Sequence, residues 1–200
     1  TSSSGYLRFG NIAAPTPIEL WNLSDAKKPV HITLPAHQSQ VTSVAWHPTK
    51  NILASGGMSR SNLGTPVILW DLEDFDGNPT SIAKEPVVSK FHQVADLNFS
   101  PNGRNLAIAY AHRDGVFGVD AKGVINVLDL QNNAVTEFAI QPDLIYGIDW
   151  SQSSQRLATA GFGGRAKIWR VDGVEMLSLE SRLSSLYKVQ WSPDNRLLIA

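Results

Sequence analysis

Three arginines, Arg60, Arg113 and Arg165, each stand in a polar stretch between two apolar segments, and His112 and Lys122 flank the middle one. A guanidinium is a planar fork that grips carboxylate or phosphate through two parallel hydrogen bonds. Three of them at equivalent places would suit an acidic peptide or a phosphorylated segment. Other chemistry is poorly supplied. The five histidines, His31, His37, His47, His92 and His112, show no metal-binding spacing with one another or with a carboxylate. With no cysteine, thiol catalysis, disulfides and cysteine-ligated zinc are excluded. Gly161-Phe-Gly163-Gly-Arg-Ala166 matches the letters of a dinucleotide fingerprint, but that motif needs a helix N-terminus behind it, and a strand pattern follows. Asp114, Asp120 and Glu73-Asp74-Phe75-Asp76 lack the spaced oxygens and closing glutamate of a calcium loop. No G-x-x-x-x-G-K-[ST] loop or G-x-S-x-G elbow occurs. The expectation is a chain that is not an enzyme and holds neither cofactor nor metal.

A formal net charge of -1 gives no bulk field to recruit nucleic acid or an anionic membrane. No apolar run approaches the ~18 residues of a membrane span, and Thr1 to Gly5 show no secretory pattern. Together with the missing cysteines this predicts a cytoplasmic protein.

The elements that must position the arginines come from a repeat. Val41-Thr-Ser-Val44-Ala-Trp46 is echoed by Val94-Ala-Asp-Leu97-Asn-Phe99, by Ile145-Tyr-Gly-Ile148-Asp-Trp150 and by Leu186-Tyr-Lys-Val189-Gln-Trp191. Each of these aromatic anchors, at 46, 99, 150 and 191, is followed by a turn and a second apolar segment: Ile52–Gly56, Asn105–Ala109, Arg156–Ala160 and Arg196–Ala200. Third segments follow the first three (Pro66–Leu72, Val124–Leu130, Ala166–Val171), and an unanchored copy, Pro17–Leu23, stands near the start. Fourth segments are weaker: Val30–Leu34, Val87–Phe91, Val135–Ile140 and Glu175–Leu179. Short, β-branched and aromatic runs bounded by turn residues are strands. Met176 to Tyr187 also fits a helical apolar period, but its place in the repeat favours two strands and a turn.

With Leu53-Ala-Ser-Gly56 ahead of Trp70-Asp71, and Ala36-His37 ahead of Val41, the sequence resembles the WD40 family from about residue 6 onward. The resemblance implies an all-β fold of WD40-type β-propeller blades, about four in residues 1–200. Such rings close with about seven blades, so these would form a segment of a larger propeller, completed by further chain or a second copy. It also implies a buried Asp, His, Ser/Thr and Trp tetrad. His37, Ser55 and Trp70 match three of its members, while Gly64 stands in the acid's place and Gly163 in the place before Trp169. Leu128 replaces the tryptophan in the next repeat, and Asp120 is two residues out of register. Apolar packing should therefore outweigh polar networks, with Trp46, Trp70, Trp150, Trp169 and Trp191 buried between neighbouring blades.

Gly56–Thr65 and Tyr110–Gly123 read as long loops on one face, and Glu73–Pro86 as an insertion on the other. Arg60, Arg113 and Arg165 then fall in three successive loops between second and third strands, which neighbouring blades place side by side. The functional expectation is a non-catalytic scaffold that presents these loops to a partner protein. A sensor or accessory module of a larger signalling protein or enzyme is the alternative, and nucleic-acid contact through a local basic patch is a minor one.

Overall fold

The computed structural model describes residues 17–23, 27, 30–34, 40–58, 66–72, 83–88, 93–114, 120–141, 143–196 and 198–199. They form sixteen strands in five antiparallel sheets, all connected in sequence order. Blade 1 holds β1 (Ile18–Asn22) and β2 (Val30–Leu34); blade 2 holds β3 (Val41–Trp46), β4 (Ile52–Gly57), β5 (Pro66–Asp71) and β6 (Ala83–Val88). Blade 3 holds β7 (Val94–Phe99), β8 (Asn105–Asp114), β9 (Asp120–Asp129) and β10 (Ala134–Gln141). Blade 4 holds β11 (Ile145–Trp150), β12 (Arg156–Gly161), β13 (Arg165–Arg170) and β14 (Glu175–Glu180), and blade 5 begins with β15 (Gln190–Trp191) and β16 (Leu198–Ile199). Met176 and its neighbours are strand, as the repeat register requires. The start of the resemblance, from about residue 6 to residue 16, lies outside the described residues.

The first strands β3, β7, β11 and β15 lie against one another from blade to blade, so they are the inner strands of a propeller arc. Each blade is stacked on the next through apolar side chains from both sheets. Val67 and Ala54 of blade 2 meet Val94, Leu106, Ile108 and Leu128 of blade 3, and Ala107, Ala109 and Ile125 of blade 3 meet Ile148, Trp150 and Trp169 of blade 4. Because both faces of a middle blade are covered, β4 and β12 are buried at five consecutive positions. Unbroken apolar runs in the sequence have this cause.

The same turn joins first and second strands in successive blades. A serine one residue after the aromatic anchor, Ser100 or Ser151, accepts the backbone N–H of Asn105 or Arg156, and Ser192 does the same for Arg196. Four residues after each of these anchors the backbone turns left-handed, at Gly103 (φ 70°), Ser154 (φ 58°) and Asn195 (φ 61°). Blade 2 solves the turn differently. His47 takes the serine's place, its Nδ1 accepting the Thr49 and Lys50 N–H groups and its Nε2 lying 2.9 Å from the Gly103 carbonyl oxygen.

Three expectations need correction. Trp46 is 55% exposed, whereas Trp70, Trp150, Trp169 and Trp191 are buried. The aromatic anchor packs on the inner strand of the preceding blade, as Trp150 shows by donating its indole N–H to the Asn98 carbonyl on β7. Among the described residues blade 1 holds only β1 and β2, its third and fourth strands, and these offer Trp46 and Val44 no inner strand to rest on. Second, Tyr110–Gly123 is not a loop for most of its length. β8 and β9 continue as a paired ribbon out to Asp114 opposite Asp120, because Ala111 to Asp114 and Asp120 to Gly123 hold no proline to break the ladder. Third, the Leu186–Trp191 segment, read from the repeat as a full inner strand, is strand only over β15, residues 190–191.

Candidate partner-binding face

The inner strands carry the polar residues of the arc. In the repeat, Ser43, Asp96, Gly147 and Lys188 occupy one register position in four successive blades, and the structure brings them together around one carboxylate. Asp96, nearly buried, accepts from the Ser43 hydroxyl of blade 2 (3.1 Å), from the Leu97 N–H of its own strand (3.1 Å), from the Ile148 N–H of blade 4 (3.1 Å) and from Lys188 Nζ of blade 5 (2.8 Å). Lys188 thus reaches across a whole blade. Gly147 makes this possible, because a Cβ there would meet the Lys188 Cα at 2.9 Å. The next position repeats the device on a smaller scale: Asn98 Nδ2 donates to Asp149 Oδ1 (2.9 Å), and the Trp191 N–H donates to Asp149 Oδ2 (2.7 Å).

Burial raises the Asp149 carboxyl above its ordinary pKa, partly offset by the N–H groups of Trp191 and Trp150 and by Asn98. A raised carboxyl pKa means the folded chain binds this proton more tightly than the unfolded chain does. Its contribution to stability therefore falls as pH rises through the carboxylate range. The stability of the natural chain minus that of Asp149→Asn is expected to decline between about pH 3 and pH 6, by denaturant titration at several pH values. A difference that grows with pH would reverse the assigned cause.

The position before Asp96 in each inner strand is a β-bulge, seen as a register shift at 41–43, 94–96 and 145–147. The extra residues are Thr42, Ala95 and Tyr146, and Tyr187 is their equivalent in blade 5. A bulge leaves one residue unpaired and re-aims its side chain. Thr42 donates to the Val94 carbonyl (2.6 Å), while Tyr146 and Tyr187 stack with ring centroids 5.2 Å apart, Tyr187 being 73% exposed. The bulges lie at the end of the arc where second strands turn into third strands. Phe162, in the turn between β12 and β13, is exposed at this same loop face. These aromatic residues were not singled out from the sequence. Aligning the second position of the repeat (Thr42, Ala95, Tyr146, Tyr187) was the signal that could have found them.

Of the sequence-expected contacts, Arg165 is already engaged: its guanidinium pairs with Asp143 (2.6 Å) and Glu180 (3.7 Å). The Asp143 hydrogen bond raises its pKa further. Lys122 is exposed on β9, opposite His112 of β8, and Arg113 is opposite Ala121. Arg60 and the side chains of His112 and Arg113 lie outside the described residues, as does His37. The structural pairs are present. Trp70 donates its indole N–H to Ser55 Oγ (2.9 Å), and Trp169 donates to Thr159 Oγ1 (3.0 Å). Among the described residues no group of three or more His, Asp or Glu could hold a metal ion, and no helix is long and apolar enough to cross a membrane.

The family model of the WD domain, G-beta repeat, matches residues 27–61 and 133–170. The chain carries WD40 repeats. Each match begins beside or within the outer strand of one blade and continues into the inner strands of the next: β2 with β3 and β4, then β10 with β11 to β13. A WD40 repeat is thus offset from the blade, so successive blades share one sequence unit and are covalently interlocked. Jouberin from Rattus norvegicus and Jouberin from Mus musculus are each 29% identical over 105 residues, covering 52% of this chain and 10% of the relative. The match therefore spans about a tenth of these relatives' length.

Proposed function

We propose that this chain is a non-catalytic interaction scaffold whose loop face binds a partner protein through an acidic or phosphorylated segment. The observation that carries the reading is the exposed Tyr146–Tyr187 stack at the mouth of the arc, held on inner strands that Asp96 ties together. Rigid aromatic side chains supply large contact area at little entropic cost, and arginine joins them among the strongest contributors to interfaces. Arg60, Arg113, Lys122 and His112 then provide the charge. Arg165 takes a supporting part, because its guanidinium is shared with Asp143 and Glu180.

Selection from a random peptide display library tests this. Enriched peptides are expected to be acidic, and charge reversal of Arg60, Arg113 and Lys122 together should weaken them at least tenfold, about 1.4 kcal/mol. Unchanged affinity in that variant, with the fold intact, would remove the face from consideration.

A second reading, an accessory module within a larger protein, is favoured by the small share of the relatives that the matched stretch occupies. In either case the ring is completed by further chain or by another copy, since Val44 and Trp46 are exposed on blade 2 and Met176, Leu177 and Leu179 on blade 4. Expressed alone, the 200-residue chain is expected to self-associate at micromolar concentration, because contiguous apolar patches of this kind seek cover. A well-folded monomer by light scattering would contradict that. A cytoplasmic location fits the absence of cysteine and belongs to the same proposal.

A further inference from the structure

Blades 2, 3 and 4 each end in a fourth strand, β6, β10 or β14, whose outer edge has no strand beside it among the described residues. Such an edge presents a row of unpaired N–H and C=O groups, and chains commonly blunt it with proline, lysine or a bulge. β6 carries Lys84 and Pro86, and β10 is bulged in mid-strand between Glu137 and Ala139. The outer strand of blade 1, β2, keeps its Ile32 and Leu34 buried under blade 2. β14 is the least protected. It contains no proline or lysine, its bulge falls at Met176 near its start, and all six of its residues are exposed.

After the bulge, Leu177, Ser178, Leu179 and Glu180 stand opposite Ile168, Lys167, Ala166 and Arg165 in a regular ladder. The Ser181 N–H bonds to the Gly164 carbonyl (2.7 Å), and hydrogen-bonded pairs alternate along an antiparallel ladder. Leu177 and Leu179 therefore direct their backbone groups to β13, and the N–H and C=O groups of Ser178 and Glu180 point outward. Residues opposite each other share a sheet face. Leu177 (47% exposed) and Leu179 (41% exposed) lie on the side of Ile168 and Ala166, which faces blade 5. Ser178 and Glu180 lie on the other side. There Lys167 holds Glu175 at 2.9 Å, whereas Arg165 is closer to Asp143 (2.6 Å) than to Glu180 (3.7 Å), and the Glu180 side chain stays 78% exposed. Arg182 is past the end of the strand, in the bend that follows.

We propose that the outer edge of β14 takes a strand from a partner protein: an extended segment with alternate apolar residues and a basic residue opposite Glu180. The outward groups of Ser178 and Glu180 require the extended form, because another strand meets both at once through its main chain. The exposed leucines match apolar side chains on the blade 5 side, and Glu180 matches a cation on the other. Strands that complete blade 5 would lie against the face of this sheet and leave its edge open. The site is on the outer rim, away from the loop face of the proposed function, and does not depend on it.

The test follows amide exchange of the 200-residue chain by mass spectrometry, below the concentration at which it self-associates, with a blocked Lys-Val-Lys-Val-Lys-Val peptide as probe. At about 1 mM the peptide is expected to slow exchange of the β14 amides about twofold, the effect of half-occupancy. The same peptide N-methylated at every residue keeps its side chains but has no donors, and should leave exchange unchanged. Glu180→Lys should weaken the lysine peptide about fivefold. Ser178→Pro, which removes an outward N–H without breaking a bond to β13, should abolish the slowing. Glu180→Lys alters an exposed side chain, so it keeps the test valid if the proline variant does not fold. Unchanged exchange in β14, equal slowing by the N-methylated peptide, or indifference to Glu180→Lys would each overturn the proposal. None of these outcomes touches the loop-face charge reversals, so this site and the scaffold reading fail separately.

Discussion

Replacing Trp169 with alanine is expected to lower the free energy of unfolding by about 3–5 kcal/mol, the range for deleting a buried aromatic. The ring is packed between blades 3 and 4 against Ile125 and Val127, and its N–H satisfies Thr159 at 3.0 Å. Its removal opens a cavity and orphans a buried hydroxyl at once. Trp46 provides the control within the same chain. More than half exposed in the single chain, it should cost less than about 1 kcal/mol when truncated, as surface positions do, at concentrations below those of self-association. Urea denaturation of the two variants side by side checks both numbers. Equal effects would mean that the blades are stacked in some other register.

The second large effect is expected at Asp96. Truncation to alanine removes the acceptor for the buried N–H of Ile148, the hydroxyl of Ser43 and the ammonium of Lys188. Each buried donor left unmade costs about 1–3 kcal/mol, so Asp96→Ala should cost about 3 kcal/mol. Lys188→Ala should cost about 1 kcal/mol, because the lysine side chain is 70% exposed and screened by water, and Asp96 retains its other donors. If the lysine variant proves as damaging as the aspartate one, the ion pair rather than the backbone N–H carries the interaction. Asp96 would then not be the point that joins four successive blades.

Much of this arrangement was legible in the sequence because a propeller repeats. The four copies of the inner-strand motif set the register, and the register located β3, β7 and β11 within a residue of their observed ends. What the repeat could not carry was anything that depends on what lies beside a blade. Trp46 has the same sequence context as Trp150, yet its burial is decided by whether an inner strand precedes it. Extension of β8 and β9 into a ribbon depended on pairing between two polar stretches with no apolar alternation to announce it. The sharing of the Asp96 carboxylate was hidden for a different reason. Ser43, Asp96, Gly147 and Lys188 look unrelated as a column of letters, and only their geometry shows that the serine and lysine meet one acid while the glycine makes room. The arginines illustrate the converse: the sequence reading put Arg165 in a loop, whereas it opens β13 opposite Glu180 and is held by Asp143.

Amide hydrogen exchange tests the central claim, that these sheets are consecutive WD40 blades stacked around inner strands, more directly than any substitution. Protection reports how much structure must open before an N–H meets water. The N–H groups of β7 and β11, including Ile148 bonded to Asp96, are expected to exchange slowest. Those of β14, whose six residues are all exposed, are expected to exchange fastest among the strands of blade 4. Protection in β14 equal to or greater than that in β11 would contradict the account.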